Sequence, residues 1–187
     1  MLKASSHRLR LAARMLRQGG VIAYPTEAVY GLGCDPRNPL AIERLLAIKQ
    51  RPASKGLILI AADMGQLAPF VDWLADGRMR EIRESWPGPH TWLLPAKATT
   101  PSWLTGDFET LAVRMTAHPL AAALCRTFGG AIVSTSANRS DQPPARSALE
   151  VRRTLVAQLD YLLVGACQGA NRPSVIRDGR TGRVIRA

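Results

Sequence analysis

Apolar residues first recur at helical spacing, at Leu9, Ala12, Ala13 and Leu16. Ser5 or Ser6 can cap this helix, and Gly19-Gly20 ends it. The pattern then changes: Val21-Ile22-Ala23-Tyr24 is an unbroken apolar run closed by Pro25 and reads as a buried strand. A second helix is predicted from Pro39 to Lys49, with Ile42, Leu45 and Leu46 on one face. Leu57–Ala61 is wholly apolar and reads as a strand buried on both faces. Helical spacing returns over 64–70 and over 76–85, the latter through Met79, Ile82 and Trp86, until Pro87-Gly88-Pro89 breaks it. Further strands are expected at Thr91–Leu94, Leu111–Arg114, Ala131–Thr135, Tyr161–Val164 and Val175-Ile176. Between them, Pro119 opens a helix reaching Phe128, and Ser147 and Glu150 have capping-box spacing before Leu149, Val151, Leu155 and Leu159. The stretch from Asp178 to Ile185 reads as a hairpin. Helices and strands alternate, so residues 1–187 are expected to form a single α/β domain with a mixed sheet flanked by helices.

Charge adds a partner class. Lys+Arg 25 against Asp+Glu 14 gives a net charge of +11, and the cations are mostly Arg. Lys3, Arg8, Arg10, Arg14 and Arg17 precede any acid, and Arg172, Arg177, Arg180, Arg183 and Arg186 crowd the other end. Such bias favours a polyanion, either nucleic acid or a polyphosphate. The basic N-terminal stretch runs straight into a strand, so it reads as a folded helix and not as a targeting leader. No apolar run approaches the roughly 18–20 residues of a membrane span. Cys34, Cys125 and Cys167 are odd in number and lack CxxC spacing, which argues for a reducing, cytoplasmic setting and against a disulfide framework. The three His, at 7, 90 and 118, are not spaced as metal ligands, and no metal site is assigned.

Four polar segments follow or join buried strands, where α/β folds hold their ligands. Pro25–Gly33 offers Thr26 and Glu27, with glycines permitting close backbone approach; a plain turn accounts for them equally well. Lys49, Arg51 and Lys55 place three cations in a short loop with no acid between them, and Lys49 extends the inward face of its helix. Mutual repulsion makes that costly without a bound anion such as a triphosphate, and a solvated charged face is the alternative. Ser134, Thr135, Ser136 and Asn138 supply hydroxyls and an amide at a strand end, suited to phosphate, ribose or carboxylate oxygens, although such clusters also commonly make turns or cap helices. Arg114 is a lone guanidinium ending an apolar strand, in need of a carboxylate from protein or ligand. No Walker A, GxGxxG, G-x-S-x-G or HExxH sequence occurs, so catalysis here would work by positioning and charge neutralisation.

Pro25-Thr26-Glu27-Ala28-Val29-Tyr30-Gly31-Leu32-Gly33, Lys49-x-Arg51-Pro52, Trp86-Pro87-Gly88-Pro89, Leu111–Arg114 and Ser134-Thr135-Ser136-Ala137-Asn138 stand in the order found in the YrdC family, which this chain resembles from about residue 8 onward. The resemblance implies a twisted sheet with a basic concave face. It implies synthesis of L-threonylcarbamoyl-adenylate from L-threonine, bicarbonate or CO2, and ATP with Mg²⁺. It further implies use of that product on adenosine 37 of tRNAs reading ANN codons, through partners of the TsaB, TsaD and TsaE group. Carried over by position, Lys49, Arg51, Lys55, Thr110, Ser136, Asn138 and Arg186 would bind ATP. Thr26, Arg114, Ser134 and Ser174 would bind threonine, with its carboxylate on Arg114 and with Asn138 lining the same cleft. Two departures stand out: Ala28 where many members have Thr, and Arg139-Ser140-Asp141 where Ser-Gly is usual. The competing reading is a non-catalytic protein binding tRNA or double-stranded RNA through the same basic face. It is disfavoured because only ten aromatics are available as stacking platforms.

Overall fold

A computed structural model of the chain describes residues 6–169 and 174–186. Helix α1 (Ser6–Arg17) leads into strand β1 (Ile22–Pro25) and strand β2 (Tyr30–Gly33), followed by α2 (Pro39–Lys49) and β3 (Ile58–Ala61). Helix α3 (Asp76–Ser85), β4 (His90–Pro95), a short α4 (Ser102–Thr105), β5 (Thr110–Met115), α5 (Pro119–Phe128) and β6 (Ile132–Ser136) come next. The chain closes with α6 (Ala148–Thr154), β7 (Tyr161–Leu162), β8 (Val175–Asp178) and β9 (Val184–Arg186). The strands form one mixed sheet in the order β7-β1-β2-β6-β3-β5-β4-β8-β9. Strand β6 lies antiparallel between β2 and β3, with Ser136 opposite Gly31 and Ser134 opposite Ile58. Strands β3 and β5 run parallel, with Ile60 beside Arg114. No described helix is long and apolar enough to cross a membrane.

Each face of the sheet buries its own core. On one face Val21, Ala23, Tyr30, Leu32, Leu59, Val113 and Val133 pack against Ile42 and Leu45 of α2, Met79 and Ile82 of α3, and Val151 of α6. On the other, Ile22, Tyr24, Ile60 and Ile132 lie beneath Ala12 and Leu16 of α1 and Ala121, Leu124 and Cys125 of α5. Each fully buried Leu or Ile contributes about 2 kcal/mol by leaving water. The second face changes character along its strands. Ile132 gives way to Ser134 and Ser136 at two-residue spacing, so the covered apolar end continues into a polar, open end. That open end holds the cleft described below.

Most elements fall where the pattern of apolar residues puts them. Strand β2 is the chief difference, since Tyr-Gly-Leu-Gly has low strand propensity and reads as loop. Glycine is required there by packing: a Cβ on Gly33 would sit 2.4 Å from the Val133 carbonyl oxygen and 2.8 Å from Tyr24. Gly33→Ala is therefore expected to destabilise by about 3 kcal/mol through forced overpacking. A denaturation midpoint equal to wild type would contradict this. Around 64–70 only a 3-10 turn, Met64–Gln66, forms under an Asp63 cap, because Gly65 and Pro69 prevent a longer helix. Helix α6 stops at Thr154 and gives way to a 3-10 turn at Val156–Gln158, and strand β7 is shorter than the apolar run around it. Ser147 caps helix α6 by accepting from the Glu150 N–H, but the Glu150 carboxylate returns to the Ser147 hydroxyl and the Arg146 N–H, not to the Ser147 N–H of a full capping box. Ser5, Arg172 and residues 170–173 of the late loop lie outside the described residues.

Candidate functional site

At the open end of the second face lies a cleft of about 320 Å³. Its walls include Thr26, Glu27, Arg114, Ser134, Ser136 and, from the far end of the chain, Ser174 and Arg186. The turn between β1 and β2 forms one wall. The Thr26 hydroxyl donates to the Val29 carbonyl at 2.6 Å, and the Thr26 N–H bonds the same oxygen, which tightens the turn. The following carboxylate, Glu27, is thereby set within the cleft.

Glu27 and Arg114 form a buried ion pair, with Arg114 Nη1 2.7 Å from Glu27 Oε2 and each residue only 7% exposed. Glu27 Oε1 accepts from Thr116 Oγ1 at 2.8 Å and from the Ala117 N–H at 2.9 Å. Burial alone would raise the carboxyl's pKa, but the Arg114 charge and these hydrogen bonds outweigh it and hold the pKa below its usual value. Arg114 Nε is buried and lacks a hydrogen-bond partner. A guanidinium in a cleft wall that is clamped by a carboxylate at one nitrogen keeps further N–H donors suited to a second carboxylate. The floor beside it is Ser134, which sits against the buried Tyr24 hydroxyl; that hydroxyl donates to Val133 O. Ser174 accepts from Thr91 Oγ1 at 2.9 Å, and Arg186 Nη2 donates to the Ser174 carbonyl at 3.2 Å.

The cationic loop meets the Ser-Ala-Asn segment next to this cleft. Lys49 is 4% exposed, and its Nζ contacts Ser136 O at 2.7 Å, Asn138 O at 2.8 Å, Asn138 Oδ1 at 2.7 Å and Ser136 Oγ at 3.3 Å. Ser136 Oγ in turn donates to Asn138 Oδ1 at 2.6 Å. Burial, then the nearby Arg51 charge, pulls the Lys49 pKa down to about 8. Arg51 is likewise lowered by burial and by Arg186, and its Nη2 bonds the carbonyls of Lys55 and Gly56 while its Nε is buried without a partner. Neither Lys49 nor Arg51 pairs with a carboxylate among the described residues. Local positive charge is thus left for a ligand to neutralise.

Thr26, Arg114, Ser134, Ser136, Ser174 and Arg186 line the cleft directly, Lys49 and Asn138 join it through hydrogen bonds with Ser136, and the Arg51 charge lies near enough to Arg186 to feel its repulsion. Lys55 is exposed, and Thr110 stands at the start of β5, outside the cleft wall. Glu27 was legible only as a carboxylate in a polar turn; the signal that could have singled it out is Arg114's need for a partner. Ala28 is buried in the same wall. Asp141, where the family usually has Gly, adopts φ 63, a left-handed conformation that Asp tolerates better than most residues.

The Sua5/YciO/YrdC family model, described as "Telomere recombination", matches residues 14–187. A protein of Nitrosococcus oceani named threonylcarbamoyl-AMP synthase is 58% identical over 179 residues, which cover 96% of this chain and 97% of that one. A protein of the same name from Halorhodospira halophila is also 58% identical, covering 96% and 94%. The crystal structure of P. abyssi Sua5 complexed with L-threonine superimposes with a TM-score of 0.85 at 33% identity over 91% of this chain, which spans half of that protein's length. E. coli YciO gives a TM-score of 0.85 at 27% identity, over 96% of this chain and 88% of its own. A nearly full-length family match, close relatives and a shared fold agree: the chain belongs to the Sua5/YciO/YrdC family.

Proposed function

We propose that this chain is a threonylcarbamoyl-AMP synthase, which joins L-threonine, bicarbonate or CO2, and ATP into L-threonylcarbamoyl-adenylate and releases pyrophosphate. The observation that carries this reading is the meeting of a clamped, partly idle guanidinium, Arg114, with the uncompensated cations Lys49 and Arg51 around one cleft. The names borne by relatives at 58% identity, and the L-threonine complex of Sua5, support it.

In this assignment Arg114 takes the threonine carboxylate on the N–H that Glu27 leaves free, with Ser134 and Ser174 beside it. Thr26 contributes wall more than donor, since its hydroxyl proton is committed to Val29. Lys49, Arg51, Lys55, Thr110, Ser136, Asn138 and Arg186 serve the nucleotide, with Lys49 acting through the Ser136–Asn138 segment whose oxygens enclose it. The threonine amine attacks CO2, forming a C–N bond and releasing a proton to give a carbamate. A carbamate oxygen then attacks the α-phosphorus, and pyrophosphate leaves. Both reactants are anionic, so neutralisation by fixed cations and alignment in the cleft supply the catalysis. No side chain is required as an obligatory base.

Magnesium fits this site only as part of the nucleotide. Among the described residues no group of three or more His, Cys, Asp or Glu is placed to hold an ion, and both oxygens of Glu27 are engaged. The residues therefore do not make a resident metal site, and Mg²⁺ would arrive on phosphate oxygens and water. The reading extends to tRNA threonylcarbamoylation, with the product handed to partners of the TsaB, TsaD and TsaE group in the cytoplasm. For the RNA-only alternative, Phe108 is the one exposed aromatic among the described residues, a poor platform for reading bases. Pyrophosphate release from ATP that requires both threonine and bicarbonate is the expected result. Release independent of threonine, or none, would refute the synthase.

A further inference from the structure

The two segments assigned to the nucleotide are tied together in both directions. Lys49 reaches across to the Ser136–Asn138 segment. In return Ser140 reaches back: its N–H bonds Lys49 O at 2.9 Å, and its hydroxyl lies 2.8 Å from Lys49 O and 3.2 Å from Gln50 O. The point it grips is unusual. Gln50 closes helix α2 in the left-handed region, at φ 51 and ψ 47. Its N–H bonds Ala47 O and the Arg51 N–H bonds Leu46 O, the Schellman closure that normally uses glycine. A side chain at such a position is strained, because its Cβ crowds the following carbonyl. The backbone direction at Gln50 also sets where the next residue, Arg51, points.

We propose that Ser140 is a positioning residue for nucleotide binding: its hydroxyl holds the Lys49 and Gln50 carbonyls so that the strained Gln50 turn stays closed and Arg51 stays aimed at the cleft. Ser140 is not in the wall of that cleft; it lines the neighbouring cavity beside Gln50 and Asn138, and its proposed action is through the turn. Loss of the hydroxyl leaves the Ser140 N–H bond to Lys49 O in place but frees the Gln50 carbonyl, and the turn then relaxes toward an unstrained conformation. Glycine pays no such penalty at φ 51, so Gln50→Gly should keep the turn closed without help from Ser140.

The inference rests on the reading of Lys49 and Arg51 as nucleotide residues, and the test separates the two. Steady-state kinetics are measured with ATP and threonine varied separately, for wild type, Lys49→Ala, Ser140→Ala, Ser140→Thr, Gln50→Gly and the double variant Ser140→Ala/Gln50→Gly. Ser140→Ala is expected to raise the KM for ATP about tenfold and to leave the KM for threonine within about twofold, the loss of a hydrogen-bonded clamp. Ser140→Thr and the double variant should return the ATP KM to near wild type, and Gln50→Gly alone should match wild type. A merely structural Ser140 would raise both KM values or lower active enzyme without rescue by Gln50→Gly, and that result overturns the proposal. An unchanged ATP KM in Ser140→Ala, with a raised one in Lys49→Ala, also overturns it. An unchanged ATP KM in Lys49→Ala refutes the underlying nucleotide assignment and the proposal with it.

Discussion

Arg114→Ala is expected to raise the KM for L-threonine by about 100-fold, the effect of removing a charge-assisted contact to a carboxylate. It is also expected to destabilise the fold by about 3–5 kcal/mol, because it strands the buried Glu27 carboxylate. The pH dependence of stability distinguishes this cause from general damage. In the wild type the pKa of Glu27 is depressed in the folded state, so the pair's contribution is fully present above the ordinary carboxylate pKa and is lost as pH falls through the folded value. Without Arg114, burial dominates and raises the Glu27 pKa, so the sign reverses: acidification protonates the stranded carboxylate and relieves its cost. Denaturation midpoints of Arg114→Ala should therefore improve relative to wild type on going from neutral pH toward about pH 5. A constant difference across that range would show that the ion pair does not govern the loss. Threonine kinetics unaffected by the substitution would remove Arg114 from the substrate site.

The second large effect is at Lys49. Lys49→Met deletes an ammonium enclosed by oxygens of Ser136 and Asn138, and the expected rise in the KM for ATP is about 100-fold, on the scale of lost charge-assisted hydrogen bonds. Threonine affinity in the same variant should change far less, since Arg114 and its Glu27 clamp are untouched. With its pKa lowered to about 8, Lys49 loses its proton in the unliganded protein as pH rises through that value, and phosphate must then bind with proton uptake. The wild-type KM for ATP should accordingly climb above about pH 8, while the residual KM of Lys49→Met stays flat there. For stability the sign is opposite. The unfolded chain holds this proton up to its ordinary lysine pKa, so the cost of burying the charge is felt below about pH 8 and is relieved above it. An ATP KM insensitive to Lys49 would place the phosphates elsewhere.

What the sequence made legible follows from which physical signals are local. Runs such as Leu57–Ala61 and the Pro39–Lys49 helix declare themselves because burial on two faces or on one stripe leaves a periodic trace. The inward turn of Lys49 was visible in that same period, seven residues beyond Ile42. Strand β2 was not, since its glycines answer to a steric demand from Val133 and Tyr24, far away in the chain. For the same reason the Arg114–Glu27 pair was half legible: each residue was an oddity in its own segment, but an 87-residue separation hides that each satisfies the other. Ser140 left no trace beyond its place in the loop after the Ser-Ala-Asn segment, because its proposed task is to support a backbone turn set by another element. Recognition of five motifs in order named the cleft residues before any geometry was available, though Lys49, Arg51, Lys55, Thr110 and Asn138 are not in its wall.

The change of character along the second face of the sheet also bears on how substrates are received. Strand β6 enters the cleft only after passing beneath α1 and α5, so Ser134 is carried on a segment anchored by Ile132 in a packed core. The end proposed for the amino acid is thus built like a bench bolted to a wall, with little entropy left to lose when a small ligand arrives. The end proposed for the triphosphate is built from loop tips, a non-glycine turn and Arg51, which is held only by the carbonyls of its own loop. On the proposed assignment, discrimination between similar amino acids would belong to the stiff floor, and the adjustments that accompany each turnover would fall to the rim.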